Sequence, residues 1–252
     1  MYIISSTLIF FFVSNCICLC PGQQCKTEWQ QDDMLNPRYD MNGCGRCRRD
    51  SSWICDPCNV LNNETANELD DEIASVPAHQ GICLFRNVNS YIIAIALVNK
   101  MKSVTGSKET DAKNYADYLR KTKWHFYADN NCRNQIVIFL SKLDRQVYTS
   151  VGSTAFEIIN EACIDRIYKE AKDNMSAGKF GQGLMHMVKE YKKALKDGKC
   201  DVDFKYWILG LVLGIVGFLF ILFFTFTSSC APSTAACKSK EKNEQKTYYT
   251  KN

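Results

Sequence analysis

The chain has 252 residues, enough for one ordinary domain with appendages, and its 46% hydrophobic content is unexceptional. Its 31 basic and 27 acidic side chains give a net charge of +4 at pH 7. Five of those basic residues (Lys238, Lys240, Lys242, Lys246, Lys251) and two of the acidic ones (Glu241, Glu244) follow Thr227, so the rest is nearly neutral, which excludes a basic nucleic-acid-binding surface.

The apolar run from Ile3 to about Leu19 ends in small residues and cysteines, as a secretory signal peptide does. Residues 1–18 are expected to be removed, with Cys16 and Cys18 at the −3 and −1 sites. An uncleaved signal anchor is the alternative. Residues 19–58 are rich in Cys, Gly, Asp and Arg without a sustained period, which predicts a cystine-stapled extension with little core of its own. From residue 59 the texture changes, and residues 59–200 read as a folded α/β ectodomain. Leu69, Ile73 and Val76 keep helical spacing, with Asn62 or Asn63 as the cap and Pro77 as the stop.

Tyr91 to Val98 is a nearly continuous apolar run of strand length, as a strand covered on both faces would be. Ala112, Tyr115, Ala116 and Leu119 form one helical stripe, and Ile136 to Leu140 is a second buried strand. Strand, helix and strand make a parallel βαβ unit. The Lys142-Leu143-Asp144-Arg145 link leads into Gln146 to Val151, an alternating antiparallel partner at the sheet edge. Phe156, Ile159, Cys163 and Ile167 line one further helix, and Leu184, Val188, Tyr191 and Leu195 line another, with Gly178 to Gly183 breaking the chain between them. The fold class expected is a small mixed-sheet α/β/α sandwich.

Residues 206–227 read YWILGLVLGIVGFLFILFFTFT with no charged side chain. A helix needs about 20 apolar residues to cross a bilayer core, so this segment is expected to be a transmembrane helix. The lysines after it place residues 228–252 in the cytoplasm, giving a single-pass type I protein of the plasma membrane with its N-terminal domain outside. Within the span, Gly210 and Gly214 form a GxxxG step, which would let a second helix approach closely. Cys230 and Cys237, just inside the membrane, are candidates for palmitoylation, with free cytosolic thiols as the alternative. Asn63 and Asn174 begin glycosylation sequons.

Of 14 cysteines, Cys16, Cys18, Cys230 and Cys237 fall in the signal and tail. The others are Cys20, Cys25, Cys44, Cys47, Cys55, Cys58, Cys83, Cys132, Cys163 and Cys200, an even set that suits disulfides. The CxxC pairs Cys44/Cys47 and Cys55/Cys58 also have the form of a zinc site. In an oxidising compartment disulfides are the default, and the gap between the pairs is short for a zinc ribbon, so no metal is expected. The three histidines (His79, His125, His186) make no pair at metal spacing, and GxSxG, P-loop and dinucleotide motifs are absent.

The order of several pieces resembles the TPM domain, in the branch named for modulators of levamisole-sensitive acetylcholine receptors. The pieces are Asp56-Pro57 before Leu61 and a helix; Tyr115-Ala116 with Leu119 and then Trp124; Cys132-Arg133 leading into IVIFL; Leu143-Asp144-Arg145-Gln146-Val147-Tyr148; Val151-Gly152; and Phe180-Gly181-Gln182-Gly183-Leu184. The resemblance spans about residues 53–197. It implies a one-pass accessory protein whose ectodomain binds and positively modulates a nicotinic-type receptor, with no enzyme activity, no cofactor and no small-molecule substrate. An extracellular interaction module with another partner, or a membrane-tethered acid phosphatase, is the alternative. Relatives with loop carboxylates would place them here at Asp56 and in Asp129-Asn130-Asn131, but Asn131-Cys132-Arg133 stands where they carry an Asn-Gly step. The placement of Asp32, Asp33, Asp40 and Asp50, in the extension, is left open. By the same alignment Cys83 and Cys132 precede neighbouring strands and would pair. Cys163 would then take Cys200, and the other six would pair within the extension.

Overall fold

The computed structural model describes residues 25–47, 49–76, 91–124, 126, 132–201 and 214–219. The chain divides into two compact units, Met1–Val202 and Asp203–Asn252. In the first, four strands lie side by side in chain order: β1 (Ile54–Cys55), β2 (Ile92–Val98), β3 (Gln135–Ser141) and β4 (Gln146–Val151). The first three run parallel and β4 returns antiparallel on β3. The observed architecture is a mixed α/β fold on a four-stranded sheet.

The alternation of side chains along the central strands divides the core in two. Ile93, Ile95 and Leu97 of β2, with Ile136, Ile138 and Leu140 of β3, face one layer. That layer holds α1 (Asn63–Ala74), α4 (Glu161–Ser176) and α5 (Phe180–Asp197). Ala94, Ala96 and Val98, with Val137 and Phe139, face the other. The two alanines leave room there for α2 (Lys108–Tyr118), whose Tyr115 stacks on Phe139 at 4.2 Å between ring centroids. A single π turn, Leu119–Lys123, follows α2, and the Trp124 amide closes it on Leu119 O at 2.7 Å. The wider turn carries the Trp124 ring into full burial.

The helix starts are set by side chains. Asn62 accepts from the Thr65 amide and starts α1, Ser107 accepts from Thr110 and starts α2, and Asn160 accepts from Cys163 and starts α4. The stripe from Phe156 to Ile167 was expected on one helix, and the structure corrects this. Ser153–Phe156 is a separate short helix, α3, with Phe156 41% exposed, because Asn160 leaves the helical conformation to cap α4. The break before α5 is also narrower than expected. It spans only 177–179, where Gly178 adopts a positive φ, while Gly181 and Gly183 lie inside α5. They let it close on Thr65 of α1 and Met175 of α4.

The largest departure concerns residues 25–58. Expected as an extension with little core of its own, this stretch supplies β1 and buries Trp29, Met34 and Cys44 against the α2 face of the sheet. Trp29 makes a parallel bridge to Met101, just past the end of β2. Arg46 forms a buried ion pair with Asp70 of α1 at 2.9 Å, and Asp70 also accepts from Ser52 Oγ and the Trp53 amide. Disulfides Cys25–Cys58 and Cys44–Cys55 close the stretch, and Cys163 of α4 is joined to Cys200.

In the second unit, residues 214–219 are helical, with Ile215, Val216, Phe218 and Leu219 exposed. Among the described residues no helix is long and apolar enough to cross a membrane, and most of 206–227 lies outside them.

Candidate functional site at the carboxyl edge of the sheet

In an open α/β sheet, ligands settle outside the carboxyl ends of the parallel strands. Here Asp56 leaves β1, Asn99 to Met101 leave β2, and Lys142 to Arg145 leave β3, all at that edge. Three aspartates lie there, each buried.

Asp56 accepts the Val60 and Leu61 amides, one on each oxygen, at 2.8 Å. Burial pushes its carboxyl up to about 6, against the pull of those two amides and of the Arg46 and Lys142 charges. Asp111, in the first turn of α2, accepts the Thr105 amide at 2.9 Å, the Val104 amide at 3.2 Å and the Ser103 hydroxyl at 2.9 Å. Burial raises its pKa, but the donors from Thr105, Ser103 and Val104 outweigh it and hold the carboxyl below its usual range. Asp144, in the β3–β4 turn, accepts the Met101 amide at 2.9 Å and the Ser141 hydroxyl at 2.6 Å, with Lys108 Nζ at 3.6 Å from its other oxygen.

A hard cation wants several oxygens converging on one point. Asp56 and Asp111 instead turn onto donors of their own loops, and Asp144 onto Ser141, the Met101 amide and Lys108. Among the described residues no group of three or more His, Cys, Asp or Glu is placed to hold a metal ion.

The N-terminal segment covers the same edge. Cys25, held by Cys58, has Asn99 Nδ2 at 3.2 Å from its sulfur. The Trp29 amide donates to Lys100 O and the Lys102 amide to Trp29 O, both at 2.9 Å, and Lys100 pairs with Glu28 at 2.5 Å. The Tyr115 hydroxyl donates to Gln30 O at 2.8 Å, and that of Tyr118 to Asp32. Burial, with Asp33 and Asp32 adding to it, keeps the Tyr115 phenol protonated.

Outside this cover the edge carries two exposed aliphatic side chains. Val104 is 84% exposed on the loop before α2, and Leu143 is 64% exposed in the β3–β4 turn. Lys102, Lys108, Lys142 and Arg145 are exposed around them. None of these was singled out from the sequence. Leu143 and Arg145 stood inside a family motif, but spacing alone does not tell a covered leucine from an uncovered one.

On the other face of the sheet, α1 and α5 run parallel: Gly181 lies against Thr65 at their starts, and Lys192 pairs with Glu72 nearer their ends at 2.7 Å. An open groove of about 670 Å³ lies between their first turns, lined by Leu61, Asn62, Thr65, Phe180, Met185 and His186 among others.

The remaining sequence candidates are dispersed. Asn63 is exposed in the first turn of α1 beside this groove, and Asn174 is half-buried in the last turn of α4. Cys47 and Cys132 are disulfide-bonded. Cys20 and Cys83 lie outside the described residues, and with Cys83 the expected Cys83–Cys132 pairing. His186 pairs with Glu170 on an exposed face at 3.0 Å. His79, His125, the 129–131 loop, Gly210, Cys230 and Cys237 also lie outside the described residues. Asp33 accepts from Lys26 and the Gln30 amide, and Asp40 from the Gly43 amide, so these acids serve local turns.

Residues 29–145 match the family model described as modulator of levamisole receptor-1. No curated protein matches the chain. Among solved structures, the chain is similar to the N-terminal domain of a protein from P. gingivalis, at a TM-score of 0.48 and 14% identity over 69% of this chain and 95% of that one. It is also similar to a protein from the psychrophilic bacterium Bizionia argentinensis, at a TM-score of 0.42 and 16% identity over 54% of this chain and 82% of that one. A third likeness is to the N-terminal domain of a protein from Corynebacterium glutamicum, at a TM-score of 0.36 and 12% identity over 53% of this chain and 73% of that one.

Proposed function

We propose that this chain, whose residues 29–145 match the family model described as modulator of levamisole receptor-1, is an accessory protein of a levamisole-sensitive acetylcholine receptor. It binds the receptor through its ectodomain and favours gating without doing chemistry. The family match carries the reading, because it takes in both the N-terminal segment and the edge that segment covers. The engagement of Asp56, Asp111 and Asp144 by amides and hydroxyls of the fold supports a binding role over phosphoester chemistry.

The topology belongs to the same proposal. Residues 1–18 are a signal peptide, 206–227 the membrane span and 228–252 the cytoplasmic tail, with the folded domain outside the cell. The disulfides Cys25–Cys58, Cys44–Cys55 and Cys163–Cys200 suit that oxidising address. So do the sequons at Asn63 and Asn174, and the uncharged span contains the helical stretch 214–219.

The test is co-expression of the full chain with a levamisole-sensitive receptor. The expected result is a larger agonist current and receptor in the co-precipitate. An unchanged current together with an empty co-precipitate would sink the reading.

A further inference from the structure

We propose that the basic, leucine-tipped carboxyl edge of the sheet is the docking surface for an acidic face of the partner protein. This rests on the accessory reading above and names the contact that the reading leaves open.

The surface is one continuous piece. The Met101 amide and Lys108 Nζ both meet Asp144, and the Leu143 amide donates to Asn99 O at 2.7 Å. The loop before α2 and the β3–β4 turn are therefore knit together, and they carry the exposed Val104 and Leu143 and their cations at one edge. Among the described residues, Lys102, Lys142 and Arg145 have no carboxylate within ion-pair distance, and Lys108 reaches only the buried Asp144. An aliphatic centre ringed by exposed cations, three of them outside any ion pair among the described residues, matches a recessed apolar spot ringed by carboxylates.

The backbone adds a second observation. Arg145 is held at φ +56 in the turn, a conformation in which glycine or asparagine rests more easily. A long cationic side chain at a strained tip points to a role outside the fold. The cations are spread and exposed with no buried donor among them, which suits a broad protein face better than a single phosphate. The groove between α1 and α5 is the less suitable face, since a glycan on Asn63 would stand at its mouth.

The experiment co-expresses the full chain with a levamisole-sensitive receptor and reads surface delivery, co-precipitation in detergent and agonist current. K142E/R145E and L143D should reach the surface normally and capture at least ten-fold less receptor. K169E/K172E, the same charge change on α4, should capture as wild type does. R145G relaxes the turn, so a merely structural arginine would be replaced without loss. The proposal expects capture to fall with R145G while thermal stability holds or rises. Equal capture by wild type, K142E/R145E and L143D overturns the surface and leaves the accessory reading standing. No capture by wild type removes the accessory reading itself. Capture retained in detergent with modulation lost in the intact membrane assigns the surface to lipid headgroups, and that also overturns the proposal.

Discussion

Asp56 shows how a residue that resembles a catalytic carboxylate can be spent on the backbone. Its folded pKa of about 6 lies above the ordinary aspartate value of 3.8. The folded state therefore binds the proton more tightly than the unfolded chain. Above pH 6 this group subtracts from stability, and the penalty fades as pH falls from 6 towards 4. Its full size is about 3 kcal/mol at most, from the pKa difference. Asp56→Asn should remove that slope from urea-melt stabilities measured between pH 4 and 7. It should also cost about 1–3 kcal/mol at pH 7, because an amide offers one acceptor to two backbone donors. An unaltered pH slope in the variant would show that Asp56 is not the group responsible. Gly152 makes the opposite point about space. A Cβ there would lie 2.2 Å from Arg133 O, which is backbone and has no rotamer to yield. Gly152→Ala should destabilise by about 2 kcal/mol or more in thermal unfolding, by forcing β4 off the start of β3.

At the scale of elements, the strands and helices of residues 91–151 were legible because burial on both faces writes unbroken apolar runs, and helices write their spacing. The same signal over-extended the helix through Phe156. An apolar stripe continues across a gap when a short turn and the next helix face the same way, and only the Asn160 cap marks the seam. The N-terminal segment was illegible for a different reason. Beyond the two-residue β1, its hold on the sheet comes from isolated contacts such as the bridge at Trp29, the Tyr115–Gln30 hydrogen bond and the buried pair of Arg46 and Asp70, with disulfides closing the segment on itself. None has a period. The ion pair is the contact most open to test. Asp70→Asn leaves Arg46 buried without its counter-charge and should cost about 3–5 kcal/mol. Hydrogen exchange should then show residues 46–54 opening ahead of β2 and β3. Uniform opening of all three would mean that the pair does not pin this segment in particular.

For the whole molecule, the site was less legible than the fold. Whether a carboxylate faces a ligand or its own loop depends on turn geometry, and the aspartates of the carboxyl edge read alike in either case. The proposed membrane segment makes its own prediction. Among the described residues nothing lies within 4 Å of the position a Cβ on Gly214 would take, which leaves room there for a second helix. Gly210→Ile with Gly214→Ile should weaken association with the proposed receptor partner while leaving surface delivery intact. Equal co-purification of this variant and the wild type would restrict the span to anchoring.

The cover over the carboxyl edge also sets an order of events during synthesis. Trp29 leaves the ribosome about 72 residues before its bridge partner Met101. At about 5–20 residues per second, that is a wait of about 4–14 s. Cys25 and Cys58 are closer in sequence than Trp29 and Met101, so their disulfide can close while β2 is still being made. Loop closure then precedes sheet formation, and the segment waits as a tethered hoop with its tryptophan and methionine uncovered. The yield of folded protein should therefore respond to the redox conditions of synthesis well before it responds to changes in the helices that finish last.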